Sequence, residues 1–146
     1  MIRVSSIDKF FIGKMHLWGV PVLRVVLGVV FFWFGALKVL GESPVAELVE
    51  TAYGFLPQAE FVLILGLWEM LIGLGLIFRF ALRFVLALLW LQMAGTLLSP
   101  LLAPSLFFTS GNPLFLTVSG EFIVKNLVLI ASSLVVGGYE VKPATK

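Results

Sequence analysis

Gly66-Leu67-Trp68-Glu69-Met70-Leu71-Ile72-Gly73-Leu74-Gly75 is the stretch whose reading decides the fold. It sits inside an apolar run, and it places a carboxylate where everything else is oily. In a helix spanning about 58–78, Glu69 lies roughly 15 Å from the first residue, near the middle of a ~30 Å hydrocarbon slab. A charge at that depth is costly unless it is paired or faces a polar cavity. Gly66, Glu69 and Gly73 recur at i, i+3, i+7 and share one helical face. Glycines on that face let a second backbone come close, the usual way membrane helices pack. Glu69 is therefore expected to face another helix and not lipid.

Composition agrees. Of 146 residues, 60% are hydrophobic and 12% charged, against roughly 25% charged in a soluble domain. The length suits one integral-membrane domain over residues 1–146. The chain has no cysteine and one histidine, which excludes disulfides, thiolate metal sites and Cys nucleophiles. No metal site or catalytic group is predicted, and a net charge of +2 gives no reason to expect nucleic acid.

The pattern predicts an all-α, four-helix transmembrane bundle with spans at about 19–41, 58–78, 81–103 and 120–138. Residues 5–17 read as a short amphipathic helix, with Ile7, Phe10, Phe11, Met15 and Trp18 on one face, bedded in the headgroup region. In the first span Arg24, Gly28, Gly35, Lys38 and Glu42 lie near one stripe, which should face protein. Ser43 and Pro44 suit a cap and first helical position, giving a short surface helix over 44–53. The third span carries Gln92, Thr96 and Ser99 on one face as interhelical hydrogen-bonders. Residues 104–119 are uncharged, and Phe107, Phe108 and Phe115 are too apolar for a free aqueous loop. That loop either dips against the bundle or docks on a protein partner or second copy. The fourth span places Glu121, Lys125 and Ser132 on one stripe. Arg3, Lys9, Lys14, Arg79, Arg83, Lys142 and Lys146 fall on one side and Glu42, Glu47, Glu50 and Glu60 on the other. The positive-inside rule then predicts cytoplasmic termini.

Three motifs resemble the DoxX-like membrane proteins, most closely the YkgB-like branch. They are Arg24-x3-Gly28-Val-Val-Phe-Phe-Trp-Phe-Gly35-x2-Lys38, Gly66-x2-Glu69-x3-Gly73, and Ser119-Gly120-Glu121-Phe-Ile-Val-Lys125-Asn126. The resemblance covers roughly 20–138. It departs at Asn126, where that branch is expected to carry an acidic residue, and in the loop after the third span, which lacks a Thr-Thr-Pro pattern. The resemblance implies a four-helix protein of a bacterial-type inner membrane, in some relatives a small subunit of a thiosulfate:quinone oxidoreductase.

Arg24, Lys38, Glu69, Glu121 and Lys125 form the expected buried polar network, with Lys125, Lys38 or Arg24 as the partner of Glu69. Such a network is either a set of internal struts or the lining of a ligand cavity. Trp33, Trp68 and Gln92 are the expected quinone contacts. The residues hold no cofactor of their own, so quinone would be a ligand and electrons would come from a partner. The function expected is a non-catalytic, redox-associated subunit. A structural subunit of a larger complex and a small-solute or proton transporter are the alternatives.

Overall fold

The computed structural model describes residues 6–43 and 45–142. Arg3, Pro44 and Lys146, which carry three of the expectations above, lie outside the described residues. The helices are α1 (Ser6–Val39), α2 (Ala46–Ala52), α3 (Gln58–Ile77), α4 (Leu82–Leu102), α5 (Pro104–Phe107) and α6 (Val118–Glu140). Four of them, α1, α3, α4 and α6, are long and apolar enough to cross a membrane. The protein is a multi-pass, all-α membrane bundle. The expected span boundaries fall within a few residues of the observed ones, except at the start of α1.

There the expected amphipathic helix and first span are one continuous helix of 34 residues running through Pro21. Proline ordinarily interrupts a helix by removing one N–H and crowding the preceding turn. Here Gly19 and Pro21 both disfavour a helix, and the helix nonetheless continues through them. At ~1.5 Å per residue α1 is about 51 Å long, well beyond a ~30 Å core. Its first turns stand clear of the bundle, with every residue from Ile7 to Gly19 exposed.

The helix ends explain the turns. α1 stops in a Schellman motif: Gly41 has φ +75°, Glu42 N–H donates to the Leu37 carbonyl at 2.9 Å, and Gly41 N–H to that of Lys38 at 3.2 Å. α2 begins at Ala46 with Val45 at its cap and no side-chain cap bond, so Ser43 does not cap it. α3 closes in a second Schellman pattern, Phe80 N–H reaching the Gly75 carbonyl at 2.9 Å. The left-handed residue there is Arg79, φ 58°, where glycine is the usual choice. An ion pair from Arg79 to Glu140 at 3.1 Å offsets part of that strain and ties the turn to the end of α6.

Leu27 and Phe31 of α1 meet Ile72 and Leu76 of α3 and Val85, Leu86, Leu89 and Met93 of α4 in one buried cluster. α4 and α6 are joined by Trp90 Nε1 donating to Ser133 Oγ at 2.9 Å. Ser133 is buried while Ser132 is only partly so, so the hydroxyl that faces the bundle is one residue on from the expected one. Thr96 and Ser99 donate back to the carbonyls of Gln92 and Thr96 within α4. Of the expected trio, Gln92 alone bonds across to another helix.

The 104–119 segment folds onto its own bundle. Phe107 is fully buried, Phe108 pairs with Leu116 in a single antiparallel bridge, and Thr117 Oγ1 both donates to the Leu106 carbonyl and caps α6 at Gly120. Leu114 and Phe115 remain exposed. At the same end α2 lies over the bundle, held where Tyr53 Oη donates to the Gly95 carbonyl at 2.5 Å. Burial pushes the Tyr53 hydroxyl above the ordinary phenol range.

Candidate functional site

The site is set by a seam of glycines. Gly28 and Gly35 on α1 face Gly73 and Gly66 on α3, each pair one heptad apart on antiparallel helices. A Cβ at Gly35 would lie 2.5 Å from the Gly66 carbonyl oxygen and 2.7 Å from Met70 N. A Cβ at Gly66 would lie 2.8 Å from the Gly35 carbonyl oxygen. Both backbones therefore touch here, which only glycine permits. Lys38 Cβ packs against Gly66 and Glu69 Cβ against Gly35, so the close approach lets these two side chains reach each other across the seam. Lys38 Nζ lies 2.6 Å from Glu69 Oε2, with side-chain exposures of 5% and 9%.

Gln92 of α4 completes the group, its Nε2 donating to Glu69 Oε1 at 2.5 Å. The carboxylate thus accepts from an ammonium on one oxygen and an amide on the other, as a buried charge requires. Gln92 Oε1 is buried with no hydrogen-bond partner among the described residues. An acceptor left in that condition costs about 1–3 kcal/mol, so its presence asks for a purpose.

That oxygen belongs to the wall of a cavity of about 360 Å³. Lys38, Glu69, Gln92, Thr96, Ser119 and Asn126 supply its polar groups, while Phe31, Phe34, Met93, Phe122 and Leu129 are among its apolar walls. α2 contributes Val45, Leu48 and Val49 at the loop end. A smaller space of about 180 Å³ adjoins it beneath α2 and shares Leu48, Val49, Leu65, Gln92 and Thr96. Apolar walls, a few convergent polar groups and a volume in the ~300–1,000 Å³ range are the features small-molecule sites commonly have.

The expected network is only partly assembled. Glu69 pairs with Lys38, which settles the choice among three partners. Arg24 is fourteen residues from Lys38, ~21 Å along α1, and serves the opposite end of the bundle. Its Nε lies 2.9 Å from Glu140 Oε2, and its guanidinium donates to the Leu76 and Ile77 carbonyls. There it satisfies the last carbonyls of α3, which a helix end leaves unpaired. Glu121 and Lys125 form an exposed i, i+4 pair at 3.4 Å, away from Glu69. Both stand within two turns of the start of α6, close enough to the helix end to find polar surroundings outside the bundle.

The aromatic expectations fail for a similar reason. Trp33 is 62% exposed and does not line the cavity. Trp68 packs on the core, donating from Nε1 to the Leu88 carbonyl at 3.3 Å, and does not line it either. Gln92 does. Two residues of consequence went unpredicted as participants, Asn126 in the cavity wall and Glu140 between two arginines. Asn126 shares a helical face with Ser119, Ile123, Leu129 and Ser133, and that stripe of small and apolar residues was the signal that α6 turns this side inward.

Compared with known proteins, the chain matches no family model, no curated protein and no solved structure.

Proposed function

We propose that this is a small, DoxX-like membrane subunit of a redox system, and that it binds quinone in the cavity beside Lys38, Glu69 and Gln92. One observation carries the reading: an apolar chamber whose polar groups include a buried, unpartnered acceptor, Gln92 Oε1. A quinone ring is flat and apolar with a carbonyl at each end. Lys38 and the Asn126 amide are donors suited to those carbonyls, and Gln92 Oε1 suits the hydroxyl of the reduced form. The chain contributes binding and orientation, and the electrons come from a partner subunit. The exposed Leu114 and Phe115 at the loop end favour such a partner, and a purely structural subunit is the second reading they support.

The test separates occupancy from partition. Protein purified without added quinone is extracted and its quinone measured, then titrated while tryptophan fluorescence is followed. A Trp18→Phe, Trp33→Phe background removes the two most exposed indoles, neither of which lines the cavity. The expected result is co-extracted quinone and saturable quenching that weakens about tenfold, or 1.4 kcal/mol, in a still-folded Glu69→Gln. Linear quenching in both proteins with no quinone extracted leaves the structural subunit as the better account.

The same reading includes orientation in an inner membrane. Arg79, Arg83 and Lys142 cluster at the end where α3 turns into α4, and Glu42, Glu50 and Glu60 lie at the other. By the positive-inside rule the arginine end and both termini are cytoplasmic. Since the chain has no cysteine, single probes report cleanly. Ser110→Cys should react with an impermeant thiol reagent outside intact cells, and Lys142→Cys should not; the reverse pattern inverts the topology.

A further inference from the structure

The residues lining the cavity differ in exposure in a way that locates its mouth. Phe31, Lys38, Glu69 and Met93 are each at most 7% exposed, whereas Phe34 and Phe122 are 49% and Val118 is 74% exposed. Phe34 belongs to α1, and Val118 and Phe122 to α6, so the opening lies between these two helices. The direct clamp from α1 to α6, Arg24 to Glu140, is at the other end of both and leaves this gap unbridged. The three most exposed lining residues are all apolar, and Ser119 beside Val118 is half-buried. A mouth meant for water carries polar groups outermost, because exposed hydrocarbon there would be unfavourably hydrated; a mouth facing acyl chains presents apolar groups outermost.

We infer that the cavity is loaded sideways from the bilayer, through an α1–α6 portal rimmed by Phe34, Val118 and Phe122, and that it accepts a lipid-soluble molecule with a compact polar head. This rests on reading the cavity as a ligand site, and it narrows the ligand class from solutes to membrane-dissolved amphipaths. Lys125 is placed to set the portal's edge. Its Nζ lies 5.3 Å from the centroid of the Phe122 ring while its pair with Glu121 faces outward. The cation–π contact holds the ring at the rim. A head entering there reaches Lys38, Glu69 and Gln92, while its apolar tail stays among the lipids.

Access is measurable without any quinone. Thr96→Cys puts a near-isosteric thiol in the cavity wall of this cysteine-free chain. Leu91→Cys, on the exposed face of α4, reports the bilayer, and Ser110→Cys reports water. Each is reconstituted in liposomes and offered either an alkyl maleimide that dissolves in the bilayer or a sulfonated maleimide present on both sides. The expected result is that Thr96→Cys behaves like Leu91→Cys. The lipophilic reagent should label it at least about tenfold faster than the sulfonated one, each rate taken relative to Ser110→Cys, because a fixed charge resists entering hydrocarbon. Narrowing the rim with Phe34→Trp or Phe122→Trp should slow lipophilic labelling of Thr96→Cys about tenfold and leave Leu91→Cys unchanged. Equal labelling by the sulfonated reagent means the cavity opens to water and overturns the portal. No labelling of Thr96→Cys while Leu91→Cys reacts, or rim variants without effect, overturns it as well. Because no quinone is present, failure here leaves quinone binding standing, and failure of quinone binding leaves the portal standing.

Discussion

Gly35→Ala and Gly73→Ala are expected to lose the bundle, each costing about 3 kcal/mol or more, the upper end for an overpacked site. A methyl at Gly73 would lie 2.5 Å from Phe32 N and 2.6 Å from the Gly28 carbonyl oxygen; at Gly35 it meets Gly66 and Met70 backbone. Backbone atoms in two hydrogen-bonded helices cannot move singly, so the helices must part, and parting separates Lys38 from Glu69 as well. The controls are in the same chain. Gly13 and Gly19 have nothing within 4 Å of an added Cβ, so Gly→Ala there should be neutral or stabilise by up to ~1 kcal/mol through helix propensity. Thermal unfolding in detergent or nanodiscs ranks the four variants. If Gly35→Ala melts with Gly19→Ala, α1 and α3 are not in this contact.

How much of this was readable beforehand follows from the residues. The class was legible because a bilayer imposes length and composition on every span. The two polar stripes, Arg24-Gly28-Gly35-Lys38 and Gly66-Glu69-Gly73, were both legible as protein-facing. What a stripe cannot give is its mate. That Gly35 sits against Gly66, and so Lys38 against Glu69, depends on the crossing of two helices, and Lys125 and Arg24 looked equally available from sequence.

The errors on α1 and α6 have separate causes. Trp33 was legible as outward-facing: two residues from Gly35 at ~100° per residue, it lies about 200° round the helix from the seam. On α6 the charges do not mark the inner face: Glu121 and Lys125 lie on an exposed side, and Asn126, about 100° round from Lys125, lines the cavity. The break expected before Gly19 is absent: α1 runs through both Gly19 and Pro21, although each disfavours a helix.

The buried pair distinguishes a strut from a site. Glu69→Leu alone leaves Lys38 in the core without its counter-charge, and Lys38→Met alone does the same to Glu69. Breaking one side of a buried pair typically costs about 3–5 kcal/mol, and at side-chain exposures of 5% and 9% solvent screens little of it. Each single variant should therefore fall well below wild type in thermal unfolding. The double variant, Lys38→Met with Glu69→Leu, should recover most of that loss, since apolar replacement of a buried ion pair is often neutral or stabilising. Glu69→Leu with Lys125→Met should recover nothing, because Lys125 is an exposed partner of Glu121. If Lys38 and Lys125 rescue equally, the pairing is wrong. The stability result then bears on function. A pair that can be exchanged for hydrocarbon without loss of stability is not needed to hold the bundle together. If the double variant melts with wild type and still carries quinone, the charges serve neither purpose and the binding proposal loses its residues. If it melts with wild type and comes out of the membrane without quinone, Lys38 and Glu69 are there for the ligand.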